Sequence, residues 1–152
     1  SATSYAGTAS SNMAVQTTVA MACTISAGAL TFTSYDPTAS ADNDATAAIT
    51  STCTAGGAAK ITMSEGAAPI TGSTTAVPKR AMKTAGETPQ TLAYHLYRDT
   101  DRTTVWGNTA DTGEGVTGTG SAQTTTVYGR IPKSQVVGAG TFADTVAVTI
   151  TY

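Results

Sequence analysis

The chain closes on Thr145-Val146-Ala147-Val148-Thr149-Ile150-Thr151-Tyr152, and this stretch alternates without a break. Successive side chains of an extended strand point to opposite sides. Val146, Val148, Ile150 and Tyr152 therefore share one apolar face, and Ala147, Thr149 and Thr151 share the other. A half-buried β-strand is the reading. Working back through the chain, the same period of two recurs at residues 124–131, 92–97, 60–63, 49–53 and 13–21. Between the runs lie turn signals: Asp36-Pro37, Gly56-Gly57, residues 66–69, 86–89, 113–120 and 138–140. No segment sustains a helical period. Short strands punctuated by turns predict a single all-β domain, a β-sandwich.

Composition supports this class. Val, Ile, Leu and Phe make up about a seventh of the 152 residues, below the ~20% at which disorder becomes a concern. A disordered chain would also carry a high net charge, and here it is −2. Charged residues are only 12%, about half the usual share. Ala, Thr, Ser and Gly fill the difference, and Thr favours a pleated surface. Such a chain offers no basic field for nucleic acid and no polybasic patch for a membrane surface. No window reaches the ~18 apolar residues of a membrane helix. Ser1-Ala2-Thr3-Ser4 has no basic or apolar leader, which leaves either a cytosolic chain or one whose signal peptide has been removed.

Two cysteines, Cys23 and Cys53, bear on that choice. They are even in number, lack Cys-x-x-Cys spacing, and have one distant histidine for company, so a metal site is not indicated. They read as a disulfide, with two buried thiols as the alternative. A bridge would close a loop of about thirty residues and contribute roughly 3–4 kcal/mol on the chain-entropy model. It would imply an oxidising compartment.

The N-terminal residues 1–22 hold no Pro, only Gly7, and no clear turn. Fully extended they would span ~70 Å, against a radius of gyration of ~14 Å for the remainder. Residues 13–21 carry an apolar face that needs burial. Such a segment folds back, frays ahead of an ordinary first strand, or leaves its own domain to complete another.

Residues with chemical potential read mostly as structural. His95 lies in Leu92-Ala93-Tyr94-His95-Leu96-Tyr97, on the face away from Leu92, Tyr94 and Leu96, and no serine or aspartate is singled out to join it in a triad. Asp99 and Asp101, flanked by Arg98 and Arg102, read as a charged hairpin turn rather than a glycosidase pair. Asp42-Asn43-Asp44 lacks the Gly and distal Glu of a calcium loop and reads as a solvated loop. Residues 113–120 lack the Lys-Ser/Thr ending of a phosphate loop and read as a flexible loop. Tyr94, Tyr97, Trp106 and Tyr128 read as core in preference to a sugar-stacking platform. No catalytic, metal or cofactor site is expected.

Four separated motifs then carry a specific likeness. They are residues 92–99 followed by Arg102-Thr103 and Val105-Trp106-Gly107; Val127-Tyr128-Gly129-Arg130-Ile131-Pro132; Gly140-Thr141-Phe142-Ala143-Asp144-Thr145-Val146; and Val148-Thr149-Ile150-Thr151-Tyr152. With Cys23-Thr24-Ile25 and a second Cys before Gly56, the chain resembles the spore coat protein U family over about residues 13–152. That family includes major subunits of archaic chaperone–usher pili. Phe142 stands where the family commonly has Tyr, and Thr33 where Gly is common.

The resemblance implies an incomplete immunoglobulin-like β-sandwich completed by a donor strand from a neighbouring subunit, a mode of sheet-edge addition. Residues 1–18 would be the donor extension and 19–152 the pilin domain. Met13, Val15, Thr17 and Val19 would face the neighbour's groove. The acceptor groove would lie between residues 19–26 and 145–152, with Val146, Val148, Ile150 and Tyr152 on its C-terminal strand. Implied partners are identical subunits in a head-to-tail fibre, with a periplasmic chaperone and an outer-membrane usher during assembly. The implied role is a pilus rod subunit, reaching the bacterial surface through the periplasm and serving adhesion and biofilm formation. No separate adhesin domain fits within 152 residues, which favours the rod over the tip. The alternatives are a spore-coat or matrix protein of the same fold and a monomeric carbohydrate-binding module.

The disulfide can be read on native protein. Non-reducing peptide mapping should return linked Cys23 and Cys53 peptides, two hydrogens lighter than the free thiols. Recovery of both residues as thiols would refute the bridge and weaken the assignment to an oxidising compartment.

Overall fold

The computed structural model describes residues 3–152. Eight strands follow one another: β1 (Cys23–Ala27), β2 (Asn43–Cys53), β3 (Ala58–Met63), β4 (Arg80–Lys83), β5 (Thr91–Tyr97), β6 (Glu114–Thr117), β7 (Ala122–Ile131) and β8 (Val148–Thr151). Among the described residues there is no helix. One sheet has the order β1-β2-β7-β5-β4 and the other β6-β3-β8, and every neighbouring pair is antiparallel. The result is an immunoglobulin-like sandwich that lacks one strand.

The alternation in the sequence decides which faces meet. On β5, Leu92, Tyr94 and Leu96 are buried while Ala93, His95 and Tyr97 are half-buried on the outer side. On β7 the inward set ends in Val127, Gly129 and Ile131. These side chains meet Ile49 of β2, Ile61 and Met63 of β3, and Trp106, which follows β5. Trp106 is fully buried, and its indole N–H donates to the Ile61 carbonyl at 2.9 Å.

A charge is buried with them. Arg80, 1% exposed, donates from Nε to the Ser64 carbonyl and from Nη2 to the carbonyls of Met63 and Trp106. Burial pulls its pKa down to about 10, opposed by Tyr94, Asp144 and Glu65. Arg80 thus ties β4 to the end of β3 through backbone groups that would otherwise be buried without partners.

Cys23 and Cys53 stand directly opposite one another in the β1–β2 ladder and are joined as a disulfide.

Three elements differ from the sequence reading. Residues 113–120 contain β6, paired with β3, and do not form a loose loop. Their glycines serve close approach: a β-carbon on Gly118 would overlap the Thr54 carbonyl oxygen, and one on Gly113 the Ile61 carbonyl oxygen. Asn43 and Asp44 open β2 and are no solvated loop: Arg130 holds Asp44 through two hydrogen bonds of 2.8 and 2.9 Å. Residues 13–21, which alternate like a strand, pair with nothing in their own sheets.

The close approach can be tested within β6 and its flank. Gly118→Ala should cost about 1–3 kcal/mol through overpacking. Gly115→Ala, which meets only the Lys60 ammonium at 3.8 Å, should change stability by under ~0.5 kcal/mol. Urea unfolding of the two variants measures the contrast, and equal effects would contradict this packing.

Candidate functional site

The site begins where the chain parts from β2. The Gly28 N–H still bonds to the Ala48 carbonyl at 2.9 Å. Beyond it the backbone swings away, and Leu30 and Phe32 turn inward to lie over the bare Cα of Gly129 on β7. Across from them residues 137–148 run back toward β8. Between these two segments lies an open groove of about 1160 Å³. Its floor is core: Ile49, Met63, Met82, Tyr94, Leu96 and Val127. Its walls carry Leu30 and Phe32 on one side, and Phe142, Val146 and Val148 on the other.

Both walls are strand edges without a ladder. Along residues 142–147, Ala143 exchanges two backbone bonds with Lys83, while Ala147 accepts from the Ser64 N–H and donates to the Ser64 hydroxyl. Among the described residues no group bonds to the backbone of Phe142, Asp144 or Val146. In a strand, alternate residues direct their N–H and C=O to opposite edges. The even-numbered residues therefore present an unpaired edge to the groove.

Asp144 fastens this wall to the floor. It accepts the Tyr94 hydroxyl at 2.5 Å and the Ala67 N–H at 2.8 Å. Burial, and then the bond to Asp144, push the Tyr94 phenol well above its ordinary pKa. Tyr94 therefore stays a protonated donor. Phe32 meets its ring edge-on at 6.5 Å.

The N-terminal tail leaves at the other end of β1. Ala22 donates to the Thr54 hydroxyl at 3.0 Å and accepts from the Thr54 N–H at 2.9 Å, and Met21 lies over Gly57. From residue 20 back to residue 3 every residue is exposed. Met13 is 85%, Val15 86% and Val19 78% exposed, and Thr17 is exposed with them. Residues 1 and 2 of the expected donor extension lie outside the described residues.

This groove lies further along the chain than the flanks 19–26 and 145–152 expected for an acceptor groove. Its flanks are residues 27–35 and 137–148. The reason is that β1 pairs with β2 over its whole length and lies close to β8, so the sandwich is shut there. Val146 and Val148 line the groove. Ile150 packs against the core, and Tyr152 is 59% exposed at the chain end.

The remaining candidates separate cleanly. His95 is half-buried beside Tyr97, and burial lowers its pKa. Asp99 caps its turn by accepting from Thr103 and Thr104, and the Thr103 hydroxyl above all lowers its pKa. Asp42 accepts the Lys133 N–H, and Arg130 holds the Asp44 carboxyl below its ordinary value. Tyr94 and Trp106 are core, whereas Tyr97 and Tyr128 are half-buried on the outer face, with Arg102 over the Tyr128 ring. The groove's depth at Leu30 and Phe32 and the Tyr94–Asp144 bond were not anticipated. The one signal in the sequence was an aspartate on the inward side of the run Phe142, Asp144, Val146.

Residues 9–149 match the Spore Coat Protein U domain. Protein U of Myxococcus xanthus is 40% identical over 156 residues, covering 97% of this chain and 87% of that protein. A chain in the crystal structure of the CsuC–CsuE chaperone–tip adhesion subunit pre-assembly complex, from archaic chaperone–usher Csu pili of Acinetobacter baumannii, shares the fold with a TM-score of 0.65. The identity there is 18%, and the match covers 89% of this chain but 40% of that one.

The Tyr94 bond has a pH signature. A folded-state pKa above the unfolded value of 10.0 gives stabilisation that is complete below about pH 10 and drains away as pH rises toward the folded value. Wild type should exceed Tyr94→Phe by about 1–3 kcal/mol at pH 7, and the gap should narrow above about pH 10. Urea unfolding at pH 7, 9, 10 and 11 reads this. A gap that stays constant to pH 11 would count against the buried phenol.

Proposed function

The chain belongs to the Spore Coat Protein U domain family, and from that premise we propose that it is a structural pilus subunit that polymerises by donor-strand exchange. Residues 13–19 of one copy lie in the groove of the next. The role is structural, not enzymatic, and the product is a surface fibre serving adhesion and biofilm formation. A periplasmic chaperone holds the groove first and an outer-membrane usher guides the exchange. The structural neighbour comes from a complex of a chaperone with a pilus subunit before assembly, which supports this order of events.

One observation carries the reading. An apolar groove with unpaired edges and an apolar tail without a partner occur in one chain, yet the chain cannot lay Val15 and Val19 in its own groove. The tail is tied down at Ala22, and the groove starts at Ala27, a span of roughly 17 Å at the strand rise. A tail folded back along β1 would spend about five residues, 15–19, on that distance. Residues 3–14 would then reach the groove, and Tyr5 and Met13 are their only large apolar side chains. The match therefore works between copies. Each copy gives at one end and receives at the other, so the contact is head-to-tail and does not close. Burying Met13, Val15 and Val19 contributes about 1.5–3 kcal/mol each, and the backbone bonds add to it.

The 40% identity to Protein U favours one second reading, a coat or matrix protein of the same fold that forms no long pilus. Electron microscopy of native material separates the two: extended fibres support the first, amorphous or sheet-like deposits the second.

The tail's period gives the mutational test. Val15→Asp should abolish fibres, because an unpaired carboxylate costs several kcal/mol to bury, whereas Gln16→Asp, one residue away and facing outward, should leave them. Sedimentation measures fibre yield, and circular dichroism confirms folding. Equal yields would refute the register, and a reversed contrast would mean a shift of one residue.

A further inference from the structure

Two otherwise apolar faces each contain one polar residue. On the tail, the alternating set Met13, Val15, Thr17 and Val19 is apolar except at Thr17. On the groove wall, the inward set Phe142, Asp144, Val146 and Val148 is apolar except at Asp144. Asp144 has accepted two hydrogen bonds, from Tyr94 and Ala67. A carboxylate offers about four lone-pair sites, so it has acceptor capacity left.

We propose that Thr17 of one copy seats against Asp144 of the next, its hydroxyl donating to the carboxyl, and that this pair fixes the register of the inserted strand. The inference rests on the donor-strand reading above and adds to it the residue pair that selects one alignment.

The unpaired edge makes the alignment specific. Phe142, Asp144 and Val146 present free N–H and C=O groups, and their side chains point inward. Directly opposed residues of an antiparallel pair have side chains on the same face. Setting Thr17 opposite Asp144 in that sense places Val15 opposite Val146, Val19 opposite Phe142 and Met13 opposite Val148. Every apolar residue meets an apolar one. The parallel alternative puts Met13 opposite Gly140 and calls on Met21, which already lies over Gly57 in its own copy. A slip of one residue would turn the whole face outward. A slip of two keeps the face but sets a valine against Asp144 and Thr17 against an apolar neighbour. Pattern alone resists the one-residue slip, and only the polar pair resists the two-residue slip. A single buried polar contact that costs stability elsewhere but selects one register is an established device in coiled coils.

The test uses the full chain and the rate at which assembled fibres dissociate in denaturant, followed by sedimentation. Thr17→Val should speed dissociation by about ten- to a hundredfold, the factor expected for losing a hydrogen bond to a charged group. Thr17→Ser, which keeps the hydroxyl, should stay within about threefold of wild type. In an Asp144→Asn background the effect of Thr17→Val should shrink to under about threefold. The sign discriminates, because without the contact a valine gains burial in an apolar groove and should slow dissociation. Thr17→Val fibres as durable as wild type, or more so, would overturn the pair while leaving donor-strand assembly intact. Residue 17 lies on the exposed tail, so the Val and Ser variants remain decisive even if Asp144→Asn fails to fold. Absence of fibres from wild type would overturn the donor-strand reading and the pair with it.

Discussion

Backbone N–H and C=O groups at a sheet edge keep their demand for partners wherever the edge is placed. Here two edges face each other across a groove floored by core residues, and no segment of the described chain fills the gap. The disposition of the other elements follows from that. Leu30 and Phe32 lean over Gly129 to keep one wall in place. Ala143, Asp144 and Ala147 fasten the other to Lys83, Tyr94 and Ser64. Both walls are held by contacts within their own copy, so neither needs the groove filled to keep its position.

The lean core makes this affordable only because other bonds carry weight. With few large aliphatic residues, the sandwich uses a disulfide, a buried tryptophan bonded to a carbonyl, and an arginine that satisfies three carbonyls. Small residues let the strands approach closely, and Gly113 and Gly118 show how far that goes.

The runs that alternate strictly were legible from the sequence. β5 and the end of β7 bury the residues their period assigns to the inside, and β8 half-buries Val148 and Ile150. β6 was hidden because its glycines also read as looseness, and the difference lies in how near a carbonyl comes, which only tertiary structure decides. β4 is four residues with Arg80 pointing inward, and no pattern announces a buried arginine. The groove beside Gly28 was not legible for a related reason. Period shows which way Val146 and Val148 point, but not that the chain leaves β2 at Gly28. The Tyr94–Asp144 bond joins residues fifty positions apart, beyond the reach of local pattern.

The disulfide also lies on a line of mechanical load. A pull on the tail enters the fold at Ala22, and the next residue is Cys23. The sulfur bridge passes that tension covalently to Cys53, the last residue of β2, the longest strand and a central one in its sheet. The short β1 ladder therefore does not have to bear the force by itself, and it cannot be peeled from its first residue. A subunit strung between neighbours would be loaded where it is covalently reinforced, and the weakest link under tension would be the inserted strand.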